Sequence, residues 1–176
     1  MAVRPIVAYP HPVLLEPTHE VTEITDELRT LVQDMVETMH AEPGVGLAAN
    51  QVADRRRIMV IDLTAGDEPG QVKVFINPRV IEATGKQDGE EGCLSFPGIY
   101  ENVVRPLRVR YAGLDLDGNP VEGEAEGFFA RAICHELDHL DGVTFLQRMS
   151  PLKRRLVLRR IERMRRSGEW PEVAAG

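Results

Sequence analysis

Apolar residues at Leu28, Leu31, Val32, Met35, Val36 and Met39 recur three and four apart, the spacing of one helix face. Thr25 stands at the N-cap, Asp26 and Glu27 complement the positive end of the helix dipole, and Pro43-Gly44 ends the pattern. Between residues 57 and 111 the period shortens. Runs rich in β-branched residues at 57–63, 72–76, 80–84 and 107–111, separated by Gly, Pro, Asp and Asn, predict antiparallel strands. Asp117-Gly118-Asn119-Pro120 predicts a turn into another short strand. A second helix is predicted from about Gly127 to Leu140, stopping at Asp141-Gly142. A third starts at Ser150 as N-cap, with Pro151 at the first helical position, and ends near Gly168. Helix, strands, then two helices predict an α+β fold: antiparallel strands packed around the central 127–140 helix, with an N-terminal and a C-terminal helix outside.

The chain has 176 residues, 43% hydrophobic and 28% charged, which suits one soluble globular domain. No repeat or low-complexity linker interrupts it. One domain is therefore expected over residues 1–150, with the helix over 150–168 packed on it and a flexible tail over 169–176. Residues 1–12 hold no apolar run of signal length, and no segment approaches the ~18 apolar residues of a membrane span. A cytoplasmic monomer without membrane contact is expected. Two cysteines, Cys93 and Cys134, are too few for a disulfide framework. The net charge of −7 hides an asymmetry: residues 148–166 carry +8 and the remainder −15. An acidic body with a basic terminal helix points to a polyanionic partner for that helix alone.

The central helix carries His135-Glu136-Leu137-Asp138-His139. His135 and His139 lie one turn apart on one face, close enough to grip one metal ion. Glu136, about 100° round the helix, can take a proton from a water on that metal. A catalytic site needs a third protein ligand and one open position. In the pattern H-E-x-x-H-x-x-G-x-x-H the third ligand is a histidine, but Phe145 stands there, so that reading fails. Glu162 is a candidate from a later helix, although Arg159, Arg165 and Arg166 at helical spacing explain it as a surface ion-pairing residue. Cys134 points away from the histidine face and reads as a core residue. Cys93, in Glu91-Gly92-Cys93-Leu94-Ser95, follows a glycine that lets backbone come close to a site, and its thiolate would complete a Cys/His/His set. His11, His19 and His40 have no partner at ligand spacing and read as exposed or capping residues. Gly44-Val45-Gly46-Leu47-Ala48-Ala49-Asn50-Gln51 lacks the Lys-Ser/Thr of a phosphate loop. Alone it reads as a flexible loop; beside a metal, Gln51 offers the neutral donor that a tetrahedral oxyanion needs.

GVGLAANQ at 44–51, EGCLS at 91–95 and HELDH at 135–139 together resemble the peptide deformylase family, whose motifs they match in order and spacing. The resemblance spans about residues 5–150. It implies hydrolysis of the N-formyl group from the N-terminal formyl-methionine of nascent polypeptides, with release of formate. It implies Cys93, His135 and His139 as metal ligands, Glu136 as general base and then proton donor, and the Gln51 amide with the Leu94 N–H as oxyanion donors. Gly46 would present backbone to a substrate docked like an added strand, and Asn50 occupies the family's free position. The metal implied is Fe(II) in the cell, with Zn(II), Ni(II) or Co(II) possible in purified protein.

Helix geometry adds Phe128 and Ala132, seven and three residues before His135, which with Val45 would form an apolar slot for a thioether. Glu91 and Arg105 are expected to pair and hold the Cys93 loop, against the alternative of an ordinary surface contact. Some family members carry a substrate-binding arginine near position 100, where Tyr100 stands here. The apolar stripe Leu152, Leu156, Val157, Ile161 and Met164 suits a helix packed on the domain or one that also contacts ribosomal RNA through its arginines. Two rival readings remain: a metallopeptidase using Glu162 as ligand, and a silent domain keeping the metal as a staple.

Overall fold

The computed structural model describes residues 2–173. Helix α1 (Asp26–Ala41) starts where its cap predicts, with Thr25 Oγ1 accepting from Leu28 N at 3.2 Å. It buries Leu28, Leu31, Val32, Met35 and Met39. A five-stranded antiparallel sheet follows in the order β1 (Gly46–Ala48), β2 (Ile58–Ile61), β3 (Lys73–Thr84), β6 (Arg108–Leu114) and β7 (Pro120–Glu126). Strand β2 is Ile-Met-Val-Ile and buried at all four positions, because the sheet is covered on both faces. Ile58, Val60 and Ile76 join the α1 side; Met59, Ile61 and Phe75 pack against α2 (Phe128–Leu140).

The runs predicted separately at 72–76 and 80–84 are one strand, β3. Asn77-Pro78 reads as a break but forms a bulge, with the register shifting between Ile76 and Arg79. Asn77 takes a positive φ of 51°, and its amide exchanges two 2.8 Å hydrogen bonds with the backbone of Val21. Segment 44–51 is not a loop: it supplies β1 and a buried 3₁₀ turn, Ala49–Val52. The sequence also predicts no strand between 87 and 105, yet a hairpin lies there, β4 (Gln87–Cys93) and β5 (Phe96–Arg105). Buried Phe96, Ile99 and Val103 anchor β5 to the rest of the molecule.

Helix α2 is buried on nearly every side, with the sheet on one face and Phe145 of the β5–α3 cluster against His135. It ends at Leu140, and the chain turns away at Gly142, whose φ is +76° and where a Cβ would lie 2.7 Å from the Glu16 backbone. Helix α3 (Pro151–Ser167) is capped by Ser150 Oγ, which accepts from Lys153 N. The predicted stripe divides: Val157 and Ile161 are buried, whereas Leu152 and Leu156 are 64% and 54% exposed. Within the stretch expected to be a flexible tail, Trp170 is buried and hydrogen-bonded to Tyr9 O; residues 174–176 lie outside the described residues. No helix among the described residues is long and apolar enough to cross a membrane.

Candidate active site

Three segments meet at one cleft of about 490 Å³: residues 42–46 with Gln51, the end of β4 with its turn, and the exposed-to-cleft face of α2. Among the described residues, one group brings metal-ligand atoms together: Cys93, His135 and His139, all within 4.8 Å of one another. Cys93 Sγ lies 3.1 Å from His139 Nε2, which lies 3.2 Å from His135 Nε2. Ligand atoms ~2.0–2.3 Å from a common tetrahedral centre are separated by about 3.3–3.5 Å, so a small divalent cation fits this set with little adjustment. One thiolate and two imidazoles suit zinc and ferrous iron.

Glu91 orients the first imidazole. Its Oε1 accepts from His135 Nδ1 at 2.8 Å, which leaves Nε2 free to ligate. The same carboxylate accepts from Arg105 Nε and Nη2 at 2.8 and 2.9 Å and from Arg131 Nη1 at 2.6 Å. Burial alone would raise the Glu91 pKa; the Arg105 and His135 hydrogen bonds overcome it and hold the group well below the usual carboxylate range. Arg105 reaches on to Asp138 Oδ2 at 2.6 Å, and Arg148 closes the network on Asp138 from outside. The Glu91–Arg105 pair is therefore 6% and 3% exposed rather than a surface contact. Burial pushes the His139 pKa well below its ordinary value, and the neutral form is the one that ligates.

Glu136 is buried, its Oε2 has no hydrogen-bond partner, and burial pushes its pKa up to about 7. Gly46 lies so close that a Cβ there would be 2.6 Å from Glu136 Oε1. Gln51 is 1% exposed, and its orientation is fixed: Oε1 accepts from Ala48 N at 2.9 Å, while Nε2 faces Ser95 Oγ at 3.2 Å and Cys93 Sγ at 3.6 Å. Val45, Leu94, Phe128 and Ala132 line the same cleft, as does exposed Tyr100.

The other candidates lie apart from this group. Glu162 is on α3, paired with Arg165 and Arg166. Cys134 packs against the sheet-side core, and burial pushes its thiol up to about 11. His11 caps a 3₁₀ turn, His40 pairs with Asp62 at 2.8 Å, and His19 is exposed. Sequence reasoning missed Arg131 and Asp138, although Asp138 lies inside the metal motif at i+3 from His135. It also left Asn50 without a role. Asn50 is fully buried and donates from Nδ2 to His139 O, tying the end of α2 to segment 44–51.

Residues 3–155 match the family described as Polypeptide deformylase. A peptide deformylase from Acidobacterium capsulatum is 51% identical over 170 residues, covering 97% of this chain and 100% of the relative. One from Alkalilimnicola ehrlichii is 45% identical, covering 96% and 94%. The crystal structure of a peptide deformylase from Legionella pneumophila matches with a TM-score of 0.88 at 36% identity, covering 97% of this chain and 100% of that one. That of peptide deformylase from Ehrlichia chaffeensis in complex with actinonin gives 0.85 at 37%, covering 94% and 99%. Agreement of sequence over nearly the whole length and of fold at this level leaves one conclusion: the chain belongs to the peptide deformylase family, enzymes that hydrolyse the formyl group from the N-terminal formyl-methionine of new polypeptides.

Proposed function

We propose that this chain deformylates nascent formyl-methionyl polypeptides with Cys93, His135 and His139 holding one divalent metal, Fe(II) in the cell and exchangeable for Zn(II), Ni(II) or Co(II) in purified protein. The observation that carries this reading is a three-ligand set sharing its cleft with a buried, unpartnered carboxylate and a pre-oriented amide. The metal, when bound, supplies the positive charge that activates water and polarises the formyl carbonyl. Glu136 takes the proton from the attacking water and passes it to the departing amine; a pKa near 7 serves both transfers. Gln51 Nε2 donates to the formyl oxygen as it gains charge, with the Leu94 N–H as second donor. Ala48 fixes that amide before substrate arrives, so little reorganisation is needed.

β1 is the outermost strand of its sheet, so its free edge suits an extended peptide added along Gly46. Val45, Phe128 and Ala132 wall the space for the methionine thioether. Glu91 and Arg105 set the Cys93 turn and the His135 ring. Residues 1–150 form the catalytic unit. The protein works in the cytoplasm as a monomer, and the arginines of α3 contact ribosomal RNA near the emerging chain.

Formate release from formyl-Met-Ala-Ser under anaerobic conditions tests the reaction. Wild type should turn over, Cys93→Ser should lose metal, and Glu136→Ala should keep metal but lose turnover. No formate from metal-loaded wild type would sink the reading. Ribosome co-sedimentation that falls steeply with salt is expected for the helix, and no change when Arg159, Arg160 and Arg163 become glutamate would remove that part.

A further inference from the structure

Beyond residue 155, where the family match ends, one side chain reaches back toward the metal ligands. Trp170, the only tryptophan of the chain, is 5% exposed. Gly168 closes α3 at φ +78°, and the N–H groups of Glu169 and Trp170 both donate to Met164 O, at 2.9 and 3.1 Å, turning the chain back over the domain. Trp170 Nε1 then donates to Tyr9 O at 2.7 Å.

From Trp170 a run of rings leads inward. Trp170 meets Phe96 edge-on at 6.3 Å, Phe96 meets Phe145 at 4.9 Å, and Phe145 meets the His135 ring at 5.9 Å. Tyr9 stacks on Phe96 at 4.9 Å. Phe96 also faces Cys93 in the hairpin register, and Cys93 packs partly on this same cluster. Phe96, which Trp170 meets, and Phe145, which Phe96 meets in turn, therefore back two of the three ligand side chains. Phe96 and Phe145 are each 1% exposed, so neither has room to move while Trp170 is in place.

We infer that Trp170 is a positioning residue for the metal site: the segment over 169–173 straps Phe96 and Phe145, and through them fixes the Cys93 thiol and the His135 ring. This rests on the reading that Cys93, His135 and His139 hold a divalent metal. Groups that orient metal ligands directly are worth ~10–100-fold in affinity, and Trp170 acts one ring further out, so about 10-fold is expected.

The test loads the full-length protein with zinc and follows its transfer to a chelating dye well below the melting temperature. Trp170→Ala should release zinc about 10-fold faster than wild type, while Trp170→Phe, which keeps a ring against Phe96, should stay within about 3-fold. Leu31→Ala opens a cavity in the α1 core away from Cys93 and should leave the release rate unchanged, which separates positioning from general loss of stability. In the unmutated protein, Trp170 emission should shift when zinc is stripped, and this arm needs no variant. Wild-type release from Trp170→Ala, equally fast release from Leu31→Ala, or emission indifferent to zinc would each overturn the inference. Stoichiometric zinc binding by Cys93→Ser would instead overturn the ligand assignment on which it rests.

Discussion

Replacing Glu91 by glutamine keeps the size of the side chain and removes the one negative charge shared by Arg105, Arg131 and His135. The new amide brings N–H donors to a place already facing donors, so at least one hydrogen bond becomes a repulsion. Arg105 and Arg131 are 3% and 5% exposed; Arg105 would keep its pair with Asp138, and Arg131 would keep only its hydrogen bond to Val103 O. Breaking a buried ion pair from one side costs about 3–5 kcal/mol. For a chain of this size that lowers Tm by roughly 6–20 °C. Freed from Glu91, the His135 ring also loses its fixed tautomer, and metal affinity should fall ~10–100-fold. The dependence on pH has a definite sign. The folded-state pKa of Glu91 lies below its ordinary value of 4.5, so its stabilisation is fully present above 4.5 and is lost as pH falls further. Melting curves of metal-stripped wild type and Glu91→Gln should therefore converge in acid and stand furthest apart near neutrality. A Tm within about 2 °C of wild type at neutral pH, on stripped protein, would refute the claim that this carboxylate holds the network together.

Gly46→Ala drives a methyl group to 2.6 Å from Glu136 Oε1; overpacking costs about 1–3 kcal/mol, and a displaced base costs ~10²-fold in kcat, so kcat within threefold of wild type counts against the geometry. Gln51→Ala should keep its metal and lose ~10²–10³-fold in kcat; a small change with metal retained would remove Gln51 from the oxyanion role. Glu136→Gln should stabilise metal-stripped protein while abolishing turnover. The folded pKa of Glu136 is raised from 4.5 to about 7, so its charge destabilises the fold increasingly between those values and by up to about 3 kcal/mol above them. The variant's advantage in Tm should thus be absent near pH 4 and largest near pH 8, and a flat difference across that range would show that Glu136 ionises freely.

The helices were legible because their signals are local: Thr25 and Ser150 cap them, and apolar spacing sets their faces. Two members of the Cys/His/His group were legible for the same reason, since a four-residue spacing on a helix is geometry. Cys93 was only one of several candidates until the family motifs were recognised, because its approach to the histidines depends on a hairpin with weak local signal. Gln87–Cys93 is Gln-Asp-Gly-Glu-Glu-Gly-Cys, poor in strand formers, and it is a strand because β5 pairs with it and Arg105 and Arg131 grip Glu91. The break at Asn77-Pro78 misled for a similar reason, since the Asn77 amide replaces the missing ladder with the backbone of Val21. Trp170 sits among Gly, Glu, Pro and Ala and reads as tail; its anchor, Tyr9, is 161 residues away in sequence.

Helix α2 buries five ionisable side chains, Arg131, His135, Glu136, Asp138 and His139, where a core helix of ordinary composition would bury none. The cost is not spread evenly. Arg131 and His135 share Glu91, and Asp138 takes Arg105 and Arg148, so these groups are matched by opposite charge or hydrogen bonds. Glu136 Oε2, His139 Nδ1 and one nitrogen of the otherwise paired Arg131, Nη2, are left without partners. Glu136, the proposed base, is the group for which a partner would be harmful. An arginine beside it would restore the pKa of an ordinary glutamate, and a base with that pKa is too weak to take a proton from water near neutrality. The matched network on the Glu91 side keeps the helix folded while Glu136 stays uncompensated. That division requires Gly46, because any side chain there would fill the space into which Glu136 is turned.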